Sequence, residues 1–497
     1  MIEGLLIGLG PVLSWAGIAA IVAGVAIGII VGALPGLGPS LGIALLIPLT
    51  WDMQPAIGML MLISLYMGAE YGGSISAILI STPGTAAATA TVIDGYALNR
   101  QGHPGRALGA SLSASTVGGL VGALFLIGLA APLAQIALSF GPPEYFALGV
   151  FGLAIVSSLS AESPVKGWIV AVLGLAFVTV GVDPILGMDR FTFGRIELME
   201  GMPFLTALIG LFAVAEVFNM VDQGERTQKV RTSIASIFLS LADLRRLAPT
   251  MIRGAVIGTV VGIIPGVGAG VGSWIAYDQE KRFAKHPETF GHGAIEGIAA
   301  PEAANNATVG GALIPMLALG IPGSATTAVL MGALIMHGLQ PGPQIFDRAP
   351  DVVYGLFVGL LVSVVVMYVL GSLAMPIWVR MIAVPNAVLA PVVFGLAMIG
   401  SYALRNLMFD VWLALGFGVL GYVLKKFSFP LAPMILAMVL GYMIEANFRR
   451  SLLMSSGSMD IFATQPISAV FLLLAVLSFF WPLVRAWQRR RAVSPAG

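Results

Sequence analysis

Cysteine is absent from this 497-residue chain, which excludes disulfides, thiolate metal sites and a cysteine nucleophile. Charge is scarce. Asp, Glu, Lys and Arg make up 10% of residues, against about 25% in a soluble domain. A chain that is 58% hydrophobic, with mean hydropathy +0.96, cannot cover itself with a soluble surface and is expected in a bilayer. A net charge of +1 gives no case for nucleic acid. Histidine is limited to His103, His286, His292 and His337, each in or beside a polar segment, so the four read as loop residues rather than ligands. None of them precedes glutamate, which removes a His-Glu-x-x-His motif. No lysine follows glycine, which removes a Gly-Lys-Ser/Thr phosphate loop. Met1-Ile2-Glu3-Gly4 lacks the basic start of a cleaved signal, and the charge-free run from Gly4 to Trp51 outruns a signal core of about 7–15 residues; it reads as retained membrane helix.

What the chain has is a duplication. Residues 24–42 read GVAIGIIVGALPGLGPSLG and residues 254–272 read GAVIGTVVGIIPGVGAGVG, with nine of nineteen positions identical at an offset of 230. A second pair follows: Thr82-Pro83-Gly84-Thr85-Ala86 in the first half and Ile321-Pro322-Gly323-Ser324-Ala325 in the second. Each half thus carries two Pro-Gly breaks inside apolar sequence, a pattern that points to a transporter binding site. At about 20 apolar residues per pass, the charge-free runs predict an all-α polytopic membrane protein of about 12 spans.

The stretch 222–253 holds Arg226, Lys229, Arg231, Arg245, Arg246 and Arg253, and the tail holds Arg485, Arg489, Arg490 and Arg491. The positive-inside rule places both in the cytoplasm. The expected organisation is a first membrane repeat over 1–221, a basic linker over 222–250, a second repeat over 251–460, and a final helix with its basic tail over 461–497. Ile237, Phe238, Leu239, Leu241 and Leu244 among the linker charges suit an amphipathic helix on the inner membrane face. The loop after the second break is basic in the first half (Arg100, His103, Arg106) and mixed in the second (Asp347, Arg348, Asp351), so the repeats are expected to be inverted.

Proline removes a backbone donor and glycine frees the dihedrals, so the four breaks should stop helices. Unpaired backbone cannot face lipid and must be buried in protein or line a wet cavity. Half-helix N-termini suit carboxylates, while C-terminal ends and unwound carbonyls suit a cation. The expected substrate-binding set is Ser40, Ser81, Thr82, Pro83, Gly84, Thr85, Asn305, Asn306, Pro322, Gly323, Ser324 and Thr326. The expected ion-coupling set is Pro35, Gly36, Gly38, Glu70, Pro265, Gly266, Gly268 and Glu302. Hydroxyls cap a half-helix or bond an anion without a permanent charge. Glu70 and Glu302 lie in apolar surroundings, where ionisable groups are rare and usually functional. The bland alternatives stay open: a hydroxyl can merely mend broken backbone, and an acid or amide can merely bond two helices. No resident cofactor is expected, and no metal beyond a transported sodium ion.

These same residues carry a resemblance. GALPGLGPSLGIALLIPLTW, YMGAEYGGSISAILISTPGTAAATATVIDGYALNRQGHPGRAL and IEGIAAPEAANNATVGGALIPMLALGIPGSATTAVLMGALIMHGLQPGPQIF resemble the large membrane subunit of the tripartite tricarboxylate transporters, the TctA family, over nearly the whole chain. The resemblance implies a multi-pass permease of the bacterial inner membrane, driven by a sodium or proton gradient and carrying a carboxylate such as citrate. It implies two partners, a small membrane subunit (TctB-like) and a periplasmic solute-binding protein (TctC-like). It also implies that Pro35–Ser40, Ser81–Thr85, Pro265–Gly270, Glu302–Asn306 and Pro322–Thr327 build the transport site. Two other classes remain as alternatives: a transporter energised by a separate ATPase, and an intramembrane enzyme.

Overall fold

Proline and glycine decide where the helices of this chain stop. The computed structural model describes residues 1–158, 164–183, 187–224 and 237–493. The first half opens with α1 (Ile2–Leu13) and α2 (Trp15–Ala33). The Pro35-Gly36 break separates α2 from α3 (Gly38–Leu46), and α4 (Pro55–Ile80) ends at the Pro83-Gly84 break. Then follow α5 (Thr89–Arg100), α6 (Pro104–Ala137), α7 (Pro142–Ser158) and α8 (Pro164–Val178), with a short hairpin of β1 (Gly181–Val182) and β2 (Asp189–Arg190). Helices α9 (Phe204–Leu208) and α10 (Ala215–Gln223) are one rod joined by a π turn at Ile209–Val214.

The second half repeats the pattern. Helix α11 (Leu241–Ile263) ends at Pro265-Gly266 before α12 (Gly268–Phe283), and α13 (Glu296–Leu319) ends at Pro322-Gly323 before α14 (Ala325–Met336). The remainder is α15 (Ile345–Arg348), α16 (Pro350–Leu373), α17 (Met375–Met381), α18 (Asn386–Arg405), α19 (Met408–Lys426), α20 (Ala432–Met454), α21 (Ile461–Thr464) and α22 (Pro466–Val493). Of the expected linker, residues 225–236, with Arg226, Lys229 and Arg231, lie outside the described residues. Leu241 already begins α11, whose first turn is capped by Ser240 accepting from the Asp243 N–H at 3.1 Å.

The protein is an all-α membrane protein. Seven of the described helices are long and apolar enough to cross a bilayer: α2, α6, the α9–α10 rod, α11, α16, α18 and α19. Helices α1, α3, α8 and α14 are apolar but shorter. Helices α4, α13 and α20 are also long, at 26, 24 and 23 residues, but carry more polar residues.

Helices α4 and α13 are buried along almost their whole length and form the centre of the bundle. Each carries one copy of the duplicated helix on its flank. Gly24, Gly28 and Gly32 of α2 sit on the backbone carbonyls of Met61, Leu65 and Ala69 in α4. Gly254, Gly258 and Gly262 of α11 sit on those of Ala300, Ala304 and Thr308 in α13. The glycines are related by an offset of 230 and their partners by 239. A Cβ at any of these glycines would strike the facing backbone, so the small-residue stripe lets two helices meet backbone to backbone.

Helices α6 and α16 complete the centre. Along α6, Gly118 backs onto Ala303 and Gly122 onto Ala307, so α6 runs with α13. Along α16, Gly359 meets Leu60 and Ser363 bonds Ser64 at 2.7 Å, so α16 runs with α4. Gly371 meets Leu112 and Gly119 meets Val364, so α6 and α16 run in opposite directions. Outside this centre, α7 and α8 pack with α20, while α18 and α19 pack with the α9–α10 rod.

Two sets of polar contacts mark the two ends of the molecule. At one end, Gln101 donates to the His292 carbonyl (2.7 Å), Arg106 pairs with Asp243 (3.1 Å), Arg246 with Glu296 (2.6 Å), and Lys166 donates to the Phe427 carbonyl (2.7 Å). Also at this end, the buried Asp94 accepts from the backbone N–H groups of Gly291, Gly293 and Ala294 at 2.8–2.9 Å and from the Tyr277 hydroxyl at 2.9 Å. At the other, Arg405 donates to the Glu197 carbonyl (3.2 Å), Arg449 pairs with Asp183 (2.6 Å) and Arg190 with Glu445 (2.6 Å).

Candidate functional site

Glycine serves different ends at the two kinds of break. In Pro35-Gly36-Leu37-Gly38 and Pro265-Gly266-Val267-Gly268 both glycines of each copy have positive φ: +95° and +62° in the first, +76° and +71° in the second. That backbone is strained for other residues, which accounts for the Pro-Gly-x-Gly spelling. Gly84 and Gly323 have ordinary φ but no room. A Cβ on Gly84 would strike the Gly32 carbonyl, and one on Gly323 would meet the Gly262 carbonyl at 2.5 Å. The second break of each half therefore seats on the glycine one turn before the first break. In the second half the Gly266 N–H also donates to the Gly323 carbonyl at 2.9 Å.

The breaks of the two halves meet. Ser40, after the first break of the first half, hydrogen-bonds Thr326, after the second break of the second half, at 2.9 Å. Ser324 caps α14 in a capping box with Thr327 and lies 3.3 Å from the Tyr66 hydroxyl of α4. The expected residues Ser40, Ser324 and Thr326 thus converge, and Tyr66, which sequence reasoning missed, joins them. Thr85 caps the turn Ala86–Ala88 through the Ala88 N–H at 3.3 Å, and Ser81 ends α4 with φ +58°. The Thr85 hydroxyl is thus occupied with mending broken backbone, whereas Ser81 contributes its left-handed backbone and an exposed side chain.

Glu302 is fully buried on α13 and takes three hydroxyl donors: Thr91 of α5 at 2.5 Å, and Ser115 and Ser111 of α6 at 3.2 and 3.4 Å. Ser111 is itself bonded to Ser74 of α4 at 2.6 Å. No cation faces the Glu302 carboxyl within ion-pair distance among the described residues. Glu70 is buried on α4. Asn305 donates to the Glu70 backbone carbonyl at 2.9 Å, and Asn306 to the Met67 carbonyl at 3.2 Å, so the Asn pair ties α13 to α4 where the two helices cross. Glu70 Oε2, Asn305 Oδ1 and Asn306 Oδ1 have no hydrogen-bond partner, nor has the buried Tyr71 hydroxyl of α4. Buried acceptors are nearly always satisfied, so these oxygens stand out among the buried polar atoms. No group of three or more His, Asp or Glu residues suited to a metal ion occurs among the described residues.

A second polar feature lies at the first-half breaks. A cavity of about 280 Å³ is lined by Pro35, Gly36, Thr82 and Pro83 together with Glu216 and Asn219 of α10. The Glu216 carboxylate leans over Gly36, where a Cβ would stand 2.5 Å from its Oε1. Oε1 accepts from Asn219 Nδ2 at 3.1 Å, and Oε2 accepts from Lys425 Nζ of α19 at 2.7 Å. Pro265, Gly266, Gly268, Pro322 and Gly323 do not reach this cavity. Glu216 gave no sequence signal because Ala-Glu-Val-Phe-Asn reads as the polar close of a helix before a charged linker.

The chain is similar to two proteins of Agrobacterium vitis. It is 39% identical over 447 residues, covering 89% of each chain, to an uncharacterized 52.8 kDa protein in the TAR-I ttuC' 3' region. It is 37% identical over 217 residues to an uncharacterized protein in the TAR-II ttuC' 3' region, covering 43% of this chain and 90% of the relative. A manganese transporter of Eremococcus coleocola, solved as a crystal structure, aligns over 95% of each chain at 15% identity with a TM-score of 0.13, too low to bear on the fold. The model of the tripartite tricarboxylate transporter TctA family matches residues 18–436, a range that holds all four breaks, Glu70, Glu302 and the Asn pair, and the chain belongs to that family.

Proposed function

We propose that this chain is the large permease of a tripartite system in the bacterial inner membrane, carrying a carboxylate such as a tricarboxylate by secondary transport coupled to sodium or protons. The observation that carries the reading is the convergence of broken helices from both halves: Ser40 holds Thr326, and Tyr66 reaches Ser324, across 286 and 258 residues of sequence. Hydroxyls and half-helix N-termini at α3 and α14 can hold an anion without a fixed charge that would trap it. The cation is assigned to Glu302 with its three hydroxyls and to the orphan oxygens of Glu70, Asn305 and Asn306. Sodium fits oxygen donors, and a proton fits either carboxyl.

The paired contacts at offsets of 230 and 239, with α4 following α16, α13 following α6, and α6 opposed to α16, support two repeats of inverted topology. The end bearing Arg106, Arg246, Lys166 and Lys426 is the cytoplasmic one by the positive-inside rule. A small membrane subunit and a periplasmic binding protein complete the system, the latter delivering substrate to the opposite end.

The test is uptake of radiolabelled citrate and related carboxylates into proteoliposomes holding this chain with its partner subunits. Uptake is expected to rise with an imposed sodium or proton gradient. Uptake indifferent to both gradients but dependent on ATP would overturn the reading.

A further inference from the structure

We propose that Glu216 is a built-in carboxylate occupying a carboxylate-binding seat formed by Lys425, Asn219 and the Gly36 turn, and that a substrate carboxylate displaces it on its way through the cavity between α10 and the first-half breaks. The proposal rests on the reading that the substrate is a carboxylate. The geometry supplies the rest. The seat already displays how it binds such a group, with one oxygen taken by the Lys425 ammonium at 2.7 Å and the other by the Asn219 amide at 3.1 Å. Both breaks of the first half line the same cavity of about 280 Å³ as Glu216 and Asn219. Gly36 is needed there twice: for its φ of +95° and because any side chain would push the carboxylate off the turn.

The charges favour exchange over permanence. The Glu216 side chain is 6% exposed while that of Lys425 is 34% exposed, so the lysine is the more solvent-open partner of the pair. Replacing one carboxylate by another at Lys425 leaves the ammonium paired, and the cost of the exchange falls on the displaced Glu216, which must be hydrated in the cavity. The displaced Glu216 turns into the cavity that it already lines.

The experiment measures citrate binding to purified full-length protein in nanodiscs by titration calorimetry, for wild type, Glu216→Gln, Lys425→Met and the double variant. Removing the internal competitor in Glu216→Gln is expected to tighten binding by about threefold to tenfold, and Lys425→Met to weaken it by about tenfold or more. The double variant should resemble Lys425→Met, because the competitor matters only while the seat exists. Weaker binding in both single variants, with coincident loss of thermal stability, would make the pair a structural brace and overturn the proposal. Unchanged binding in Glu216→Gln would overturn it as well. A wild-type protein that binds no carboxylate at all would overturn the transport reading together with it, whereas wild-type binding with a weakened Glu216→Gln sinks this inference alone.

Discussion

Individual side chains in this protein divide into those that repair the fold and those that the fold leaves available. Asp94 repairs: it spends both oxygens on four donors. Glu302 accepts from three hydroxyls and pairs with no cationic side chain among the described residues. Replacing Glu302 by alanine strands the hydroxyls of Thr91, Ser111 and Ser115 in the interior and should destabilise the protein by about 1–3 kcal/mol. Glu302→Gln keeps an acceptor oxygen and should fold, yet lose its charge. Its uptake is expected to drop about tenfold, or 1.4 kcal/mol, at a fixed gradient, and to lose its response to the coupling ion. A Glu302→Gln protein whose uptake still climbs with the sodium or proton gradient would take Glu302 out of the coupling site.

At the level of elements, glycine carries two distinct jobs that a sequence writes with one letter. Gly32 and Gly84 are fixed by contact, Gly36 and Gly38 by dihedral angle, and Gly395 of α18 by neither, since nothing lies within 4 Å of its would-be Cβ. Gly32→Ala and Gly84→Ala should each destabilise by about 1–3 kcal/mol through overpacking. Gly395→Ala should be neutral or stabilising by up to about 1 kcal/mol from helix propensity. Thermal unfolding of the three variants in one detergent checks this. A Gly84→Ala protein as stable as wild type would mean that the second break does not seat on α2.

Across the whole molecule, the two halves are joined where their breaks meet. The chain has no native cysteine, so an introduced pair reports without background. With Ser40 and Thr326 already 2.9 Å apart at their oxygens, the double variant Ser40→Cys, Thr326→Cys should form a disulfide on mild oxidation and stop uptake until reduced. Oxidation that forms the bond but leaves uptake intact would show that the contact persists through the transport cycle.

How much of this was legible in the sequence follows from what each residue signals alone. The four Pro-Gly breaks were readable because proline and glycine act on their own backbone, and α2, α4, α11 and α13 end at them. Glu302 and the Asn305-Asn306 pair were readable as polar residues out of place. Their partners were not: Thr91, Ser111 and Ser115 reach Glu302 only through the packing of α5 and α6 on α13. Tyr66 looked like an ordinary aromatic of an apolar helix, and its hydroxyl gained meaning from Ser324, 258 residues away. Hydropathy alone also under-reads the central helices α4 and α13, whose glycines, hydroxyls and acids lower their apolar signal although both are buried along almost their whole length.

The Asp94 clamp has a consequence for how the protein comes apart. Residues 287–294 look like a surface loop between α12 and α13, the kind of segment that frays first. Three of its amides are instead anchored on a buried carboxylate of α5, a helix from the other half of the chain. The loop is therefore tied to α5. Its three anchored amides are expected to exchange with solvent only when Asp94 of α5 lets go, so hydrogen exchange should find them slower than a free surface loop.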